Sequence, residues 1–182
     1  MRMNGLTHEE ATAVIRTAVD NGIDYFDHAD IYGRGTSEEI FGKAFKELGI
    51  ARDSVMLQTK CGIVPGVMFD FSKEHIIASV EGSLKRLQTD YVDALLLHRP
   101  DTLMEPEEVA EAFDALHKAG KVRHFGVSNQ NPMQIELLKK AVTQPLLINQ
   151  LQLSLTHAPM IDAGFNVNMM NNPSFMHDGS VL

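Results

Sequence analysis

The stretch Tyr91-Val-Asp-Ala-Leu-Leu-Leu-His98 decides the fold. Apart from Asp93 it is a short apolar run that ends on an imidazole, and its apolar residues do not alternate with polar ones. Such a run describes a strand covered on both faces, the strand type of parallel sheets flanked by helices. Upstream, Ser72 to Leu87 reads as a helix whose Ile76, Ile77, Val80, Leu84 and Leu87 make one apolar face. Downstream, Pro106 opens a second helix, Val109, Ala110, Phe113 and Leu116 supply its apolar stripe, and Gly120 stops it. The same unit recurs on either side. Thr7 and Glu10 have capping-box spacing ahead of a helix that ends at Asn21-Gly22, Ile23 to Asp27 reads as a strand, and Ser37 to Leu48 as a helix. Val55 to Thr59 and Val122 to Val127 are further strands, Asn131-Pro132 opens a helix through Val142, and Leu146 to Ile148 begins a fifth strand. Alternating strands and helices leave two architectures, an open doubly wound sheet and a closed (β/α)8 barrel. Gly33-Arg-Gly35 only partly matches a dinucleotide-binding fingerprint, with Glu38 where its third glycine belongs, so the barrel is the better reading.

The residues that end the strands carry the functional information. Asp27, Lys60, His98, Asn129 and Gln150 close five successive apolar runs at their carboxyl ends. In a barrel these ends converge on one face, where active sites of this fold are built. Singly, each has an ordinary explanation: a turn-forming aspartate, a solvated lysine, a hydrogen-bonded core imidazole, a capping asparagine. Five at equivalent positions make the joint functional reading the stronger. Composition narrows the partners. The 182 residues are 44% apolar and 22% charged, with sixteen Lys and Arg against twenty-four Asp and Glu and a net charge of -8. That balance suits a globular domain and argues against nucleic acid or an anionic membrane surface as partner. A single cysteine, Cys61, excludes an internal disulfide framework, and no apolar run approaches a membrane span. With no signal-peptide pattern at Met1 to Gly5, a cytoplasmic location is expected.

The segments Gly22-Ile-Asp-Tyr-Phe-Asp-His-Ala-Asp-Ile-Tyr-Gly33, Leu57-Gln-Thr-Lys60, Ser83 to His98, Gly120-Lys-Val-Arg-His-Phe-Gly-Val-Ser-Asn129 and Ile148-Asn-Gln150 together resemble the aldo-keto reductases, in the same order as in that family. The resemblance extends from residue 7 to about 155 and is nearest to bacterial oxidoreductases with the stretch Asn149 to His157. It implies carbonyl reduction by NADPH and a catalytic tetrad of Asp27, Tyr32, Lys60 and His98. Hydride addition to a carbonyl leaves an alkoxide that needs a proton, and Tyr32 is the implied general acid. A lysine cation beside a phenol favours the phenolate, Asp27 would hold Lys60 in place, and His98 would orient the substrate carbonyl. Ser128, Asn129 and Gln150 match the residues that hydrogen-bond the nicotinamide carboxamide; amide side chains offer both donors and acceptors. Asp93 and Arg123 are assigned no chemistry; a scaffold salt bridge or a strand-end contact is expected of each.

A complete barrel has eight strands in about 250 residues, and about five of the eight β/α units are present here. The chain is therefore read as one partial TIM-barrel domain over 1–182, with a loop-rich segment at 151–182, and as a fragment of a longer enzyme. The family's pyrophosphate- and 2'-phosphate-binding groups have no match in it. Exposed sheet edges predict poor solubility or self-association. Met160, Met169, Met170 and Met176 with His157 and His177 are too irregularly spaced for a metal site, and none is expected; with Phe165 and Phe175 they fit a loop over the barrel mouth. Cys61 reads as a packed small side chain, with a reactive thiol as the alternative because of neighbouring Lys60. Two other functions remain open: a lyase using Lys60 as a Schiff-base nucleophile, and a catalytically inactive barrel remnant that binds cofactor or a partner protein.

Overall fold

Thr7 and Glu10 form the expected reciprocal capping box, and the chain enters helix α1 at His8–Asp20 with Ala11 and Ile15 buried. A computed structural model describes residues 1–158. Strand β1 (Tyr25–Asp27) follows, then a tight 3₁₀ segment at Tyr32–Gly35 that leads into α2 (Thr36–Glu47). Strand β2 (Met56–Cys61), a small hairpin of β3 (Ile63–Val64) and β4 (Met68–Phe69), and α3 (Lys73–Leu87) make the next unit. The remaining elements are β5 (Val92–Leu97), α4 (Pro106–Lys118), β6 (Val122–Ser128), α5 (Pro132–Leu138) and β7 (Leu146–Gln150). The five main strands are parallel and lie in the order β1-β2-β5-β6-β7, each beside its predecessor in the alternating pattern. They form a curled half-barrel, the strand arrangement of a (β/α)8 barrel.

Period-2 alternation sorts the strand residues between two interiors. Leu57, Cys61, Leu95, Leu97, Phe125 and Val127 enter the core between sheet and helices, where they meet Ile76, Val80 and Phe113. Gln58, Lys60, Ala94, Leu96 and Ser128 are buried on the opposite, concave face. Every residue of β5 is buried, as its unbroken apolar run requires. Phe113 and Phe125 stack with ring centroids 4.1 Å apart, which fixes α4 on β6. On the other side of the core, Gly42 lets α2 and α3 touch: a Cβ there would lie 2.7 Å from the Leu87 carbonyl oxygen.

Two local features differ from the sequence reading. The hairpin over Ile63–Phe69 was not expected; its signal was Pro65-Gly66 between two apolar pairs, and Val67 N–H donates to the Val64 carbonyl across that turn. Helix α5 ends at Leu138 rather than running to Val142, because Lys140 and Ala141 donate to the carbonyls three residues back and tighten the chain into turns. Val142 stays buried in the core, and its N–H still donates to the Leu138 carbonyl four residues back, at 2.9 Å. Beyond β7, residues 151–158 contribute an isolated bridge between Ser154 and His157. The methionines and phenylalanines at 160–176, and the expected mouth loop they form, lie outside the described residues.

Candidate active site

Lys60 is the centre of the site. Strand β2 sends its side chain into the concave face, where it is 2% exposed, and the ammonium donates to three acceptors. These are Asp27 Oδ1 at 2.6 Å, the His28 carbonyl at 2.9 Å and Tyr32 Oη at 3.3 Å. An ammonium has three N–H bonds, and all three are used. Asp27 stands at the end of β1, in register with Gln58 on β2. Its Oδ1 also accepts from Gln58 Nε2 at 2.5 Å and its Oδ2 from Gln150 Nε2 at 3.1 Å, while Tyr25 Oη donates to Gln58 Oε1 at 2.6 Å. Burial works to raise the Asp27 carboxyl, but the Lys60 hydrogen bond and charge, with the Gln150 and Gln58 amides, outweigh it and hold the group below the usual carboxylate value.

Tyr32 is delivered by the loop after β1. Its N–H donates to the Ala29 carbonyl, and Gly33, Arg34 and Gly35 all follow with positive φ, which turns the chain sharply into α2. Glycine at two of these three positions is what the turn demands. The sequence thus resembles a phosphate loop for a geometric reason only: Glu38, at the position of a third glycine, is fully buried and accepts from Thr59 Oγ1 at 2.6 Å and Arg86 Nε at 2.8 Å. Across the site, the His98 ring meets the Tyr32 ring edge-on with centroids 5.9 Å apart. His98 is buried, its Nδ1 has no partner among the described residues, and its N–H donates to the Cys61 carbonyl. Burial first, then the nearby Lys60 and Arg99 charges, push its imidazole down to about 4. It is neutral near pH 7.

The third wall comes from β6 and β7. Asn129 has a φ of 60°, and its N–H donates to the Gln150 carbonyl at 3.0 Å. Asn129 Nδ2 donates to Ser128 Oγ at 2.8 Å, and Ser128 Oγ donates to the Gln150 carbonyl at 3.1 Å. Ser128, Asn129 and Gln150 are therefore one connected group, and the Gln150 side chain ties it to Asp27. Neither Asn129 Oδ1 nor Gln150 Oε1 has a partner among the described residues, so two amide oxygens remain to accept from a carboxamide. Those two acceptors fit the amide group of a nicotinamide at this wall.

Six of the seven residues singled out in the sequence are linked by hydrogen bonds, and the seventh, His98, meets them through the Tyr32 ring. Gln58 was missed, although its place two residues before Lys60 on β2 puts it on the same face. Arg2 was also missed; its guanidinium lies over the Tyr32 ring, 5.1 Å from the centroid, and no sequence pattern linked the two. Asp93 has the scaffold role expected of it: it accepts from Arg52 at 2.6 Å, Arg123 at 3.0 Å and the Leu57 N–H at 2.9 Å. Cys61 is buried in the core, where the packed reading places it, and burial pushes its thiol well above the usual value. Lys60 Nζ is buried and engaged by Asp27, the His28 carbonyl and Tyr32. Among the described residues no group of His, Cys, Asp and Glu could hold a metal ion, and no helix is long and apolar enough to cross a membrane.

The concave face of a half-barrel of parallel strands thus carries an Asp-Lys-Tyr network at the carboxyl ends, with a histidine opposite. The family model described as "Aldo/keto reductase family" matches residues 1–166, and the chain belongs to that family. It is 44% identical over 178 residues to the uncharacterized oxidoreductase YcsN of Bacillus subtilis, covering 91% of this chain and 59% of that protein. It is 42% identical over 152 residues to a 6-dehydroglucose reductase of Agrobacterium fabrum, covering 79% and 51%. Among solved structures, the holo form of an aldo-keto reductase from Bacillus halodurans superposes with a TM-score of 0.72 at 31% identity, over 87% of this chain and 51% of that one. The chain spans between half and three-fifths of the curated relatives it matches most strongly.

Proposed function

We propose that this chain carries the active site of an NADPH-dependent oxidoreductase that reduces aldehydes or ketones to alcohols. The observation that carries the reading is the Lys60 ammonium held between Asp27 and Tyr32 with a neutral His98 opposite. NADPH supplies the hydride when bound, and Ser128, Asn129 and Gln150 hold its carboxamide. Tyr32 Oη gives its proton to the carbonyl oxygen as negative charge develops there. Lys60, 3.3 Å away, stabilises the charge left on the tyrosine oxygen, and Asp27 fixes Lys60 at that distance. Neutral His98 donates a hydrogen bond to the carbonyl and orients it. A small carbonyl compound is the partner, and a cytoplasmic location agrees with the absence of a membrane-spanning helix among the described residues.

The test is NADPH oxidation against a panel of aldehydes and ketones, with Tyr32→Phe as the variant. General acid catalysis contributes about 10²- to 10⁴-fold, so the variant loses turnover by that factor and keeps its NADPH affinity by calorimetry. Unchanged turnover in Tyr32→Phe refutes the assignment. The same assay separates a second reading, a barrel that binds cofactor or a partner protein without turnover. NADPH binding with no oxidation by any carbonyl establishes it.

A further inference from the structure

The charge at the mouth of the half-barrel differs in sign from that of the chain. The protein carries a net charge of -8, yet Lys60, Arg99 and Arg2 all bear on His98, with Asp27 the carboxylate that opposes them. Asp27 is the one carboxylate in direct contact with Lys60, and that ion pair is neutral overall. Arg2 lies on the ring of Tyr32, and Arg99 follows His98 directly at the end of β5; both are exposed. No carboxylate among the described residues forms an ion pair with either arginine. Their charges are felt in the site, since both disfavour a proton on the His98 imidazole after burial and Lys60 have acted. Two arginines without counter-ions, beside the atoms that handle the substrate carbonyl, make a positive well in a negative molecule and concentrate anions there.

Resting on the reductase reading above, we propose that Arg2, assisted by Arg99, determines substrate specificity by selecting carbonyl compounds that bear a carboxylate or a comparable anionic group. The planar guanidinium pairs with a carboxylate through two parallel hydrogen bonds, which fixes orientation as well as affinity. With Arg2 held over Tyr32, an anion bound to it leaves the rest of the substrate close to the Tyr32 hydroxyl and His98. A short keto acid or an aldehyde acid meets both requirements. A neutral aldehyde of the same shape meets only the second.

The experiment compares 4-carboxybenzaldehyde with its neutral methyl ester, measuring kcat/KM for each with NADPH. It is run on the protein and on Arg2→Gln and Arg99→Gln. The unsubstituted protein is expected to prefer the carboxylate by about tenfold or more, and Arg2→Gln to lose most of that ratio through KM for the acid. The preference falls as salt is raised, as for any exposed charge pair. Equal kcat/KM for the two aldehydes in the unsubstituted protein overturns this inference and leaves the reductase reading standing. If Arg2→Gln raises the KM for NADPH and leaves the aldehyde ratio intact, the arginine serves the cofactor's phosphates and the inference is wrong. Failure of both aldehydes while another carbonyl of the panel oxidises NADPH overturns this inference alone; failure of the whole panel overturns the reductase reading, and this inference with it.

Discussion

Replacing Asp27 by Asn tests the physics of the site without reference to turnover. The side chain keeps its shape but loses its charge, so the buried Lys60 ammonium retains the His28 carbonyl and Tyr32 hydroxyl and loses its anionic partner at 2.6 Å. Removing one member of a buried ion pair costs about 3–5 kcal/mol. Asp27 is 32% exposed at the side chain, so water screens part of the pair and an expected loss of about 2–3 kcal/mol follows. The pH dependence carries its own sign. The Asp27 carboxyl lies below its ordinary value in the folded protein, so the unfolded chain binds its proton first as pH falls. Its contribution is fully present above the unfolded pKa, which for aspartate is about 3.9, and is lost as pH falls through the folded value. Urea unfolding of both proteins between pH 8 and pH 3 measures this. The stability gap is expected to be flat from pH 8 to 5 and to close below about pH 4. A gap under about 1 kcal/mol at pH 7, or one that persists undiminished at the acid end, refutes the claim that Asp27 stabilises Lys60 as a charge.

Other outcomes follow from the same structure. Gly42→Ala forces a methyl group against the Leu87 carbonyl, and overpacking of about 1–3 kcal/mol exceeds the gain in helix propensity of about 1 kcal/mol, so the melting temperature falls. Because burial and nearby cations push the His98 imidazole down to about 4, its ring protons show no titration by NMR between pH 6 and 8; a midpoint near 6.5 would contradict the buried placement. Cys61 resists a thiol reagent in the native protein and reacts stoichiometrically in denaturant; fast native labelling would mean that β2 is not covered by the helices. Strands β1 and β7 are the edges of the five-stranded sheet, each with one paired side among the described residues, and self-association through them is expected in light scattering. A monodisperse monomer excludes it.

The alternation of 2.0- and 3.6-residue periods was readable because burial imposes it locally: a strand covered on both faces must be apolar throughout, and a helix on a sheet must carry one stripe. The order and parallel sense of the five main strands followed from that pattern, and so did the polar residues that end them, since a strand stops being apolar where it leaves the core. The hairpin at Ile63–Phe69 and the shortened α5 escaped because two-residue strands and turns satisfy the same short apolar pattern as other local structure. Within the site, the sequence determined which residues reach the mouth but not what they do to one another. Gln150 donates to Asp27 from 123 positions away, Arg2 lies over Tyr32, and Glu38 is buried against Arg86 rather than lining a phosphate loop. These pairings depend on the curl of the sheet, which sets the distances between strand ends. Curl arises from the packing of all the strands and helices together, so only the tertiary structure decided that Lys60 is held by three acceptors and that Arg2, with no carboxylate partner among the described residues, lies over Tyr32.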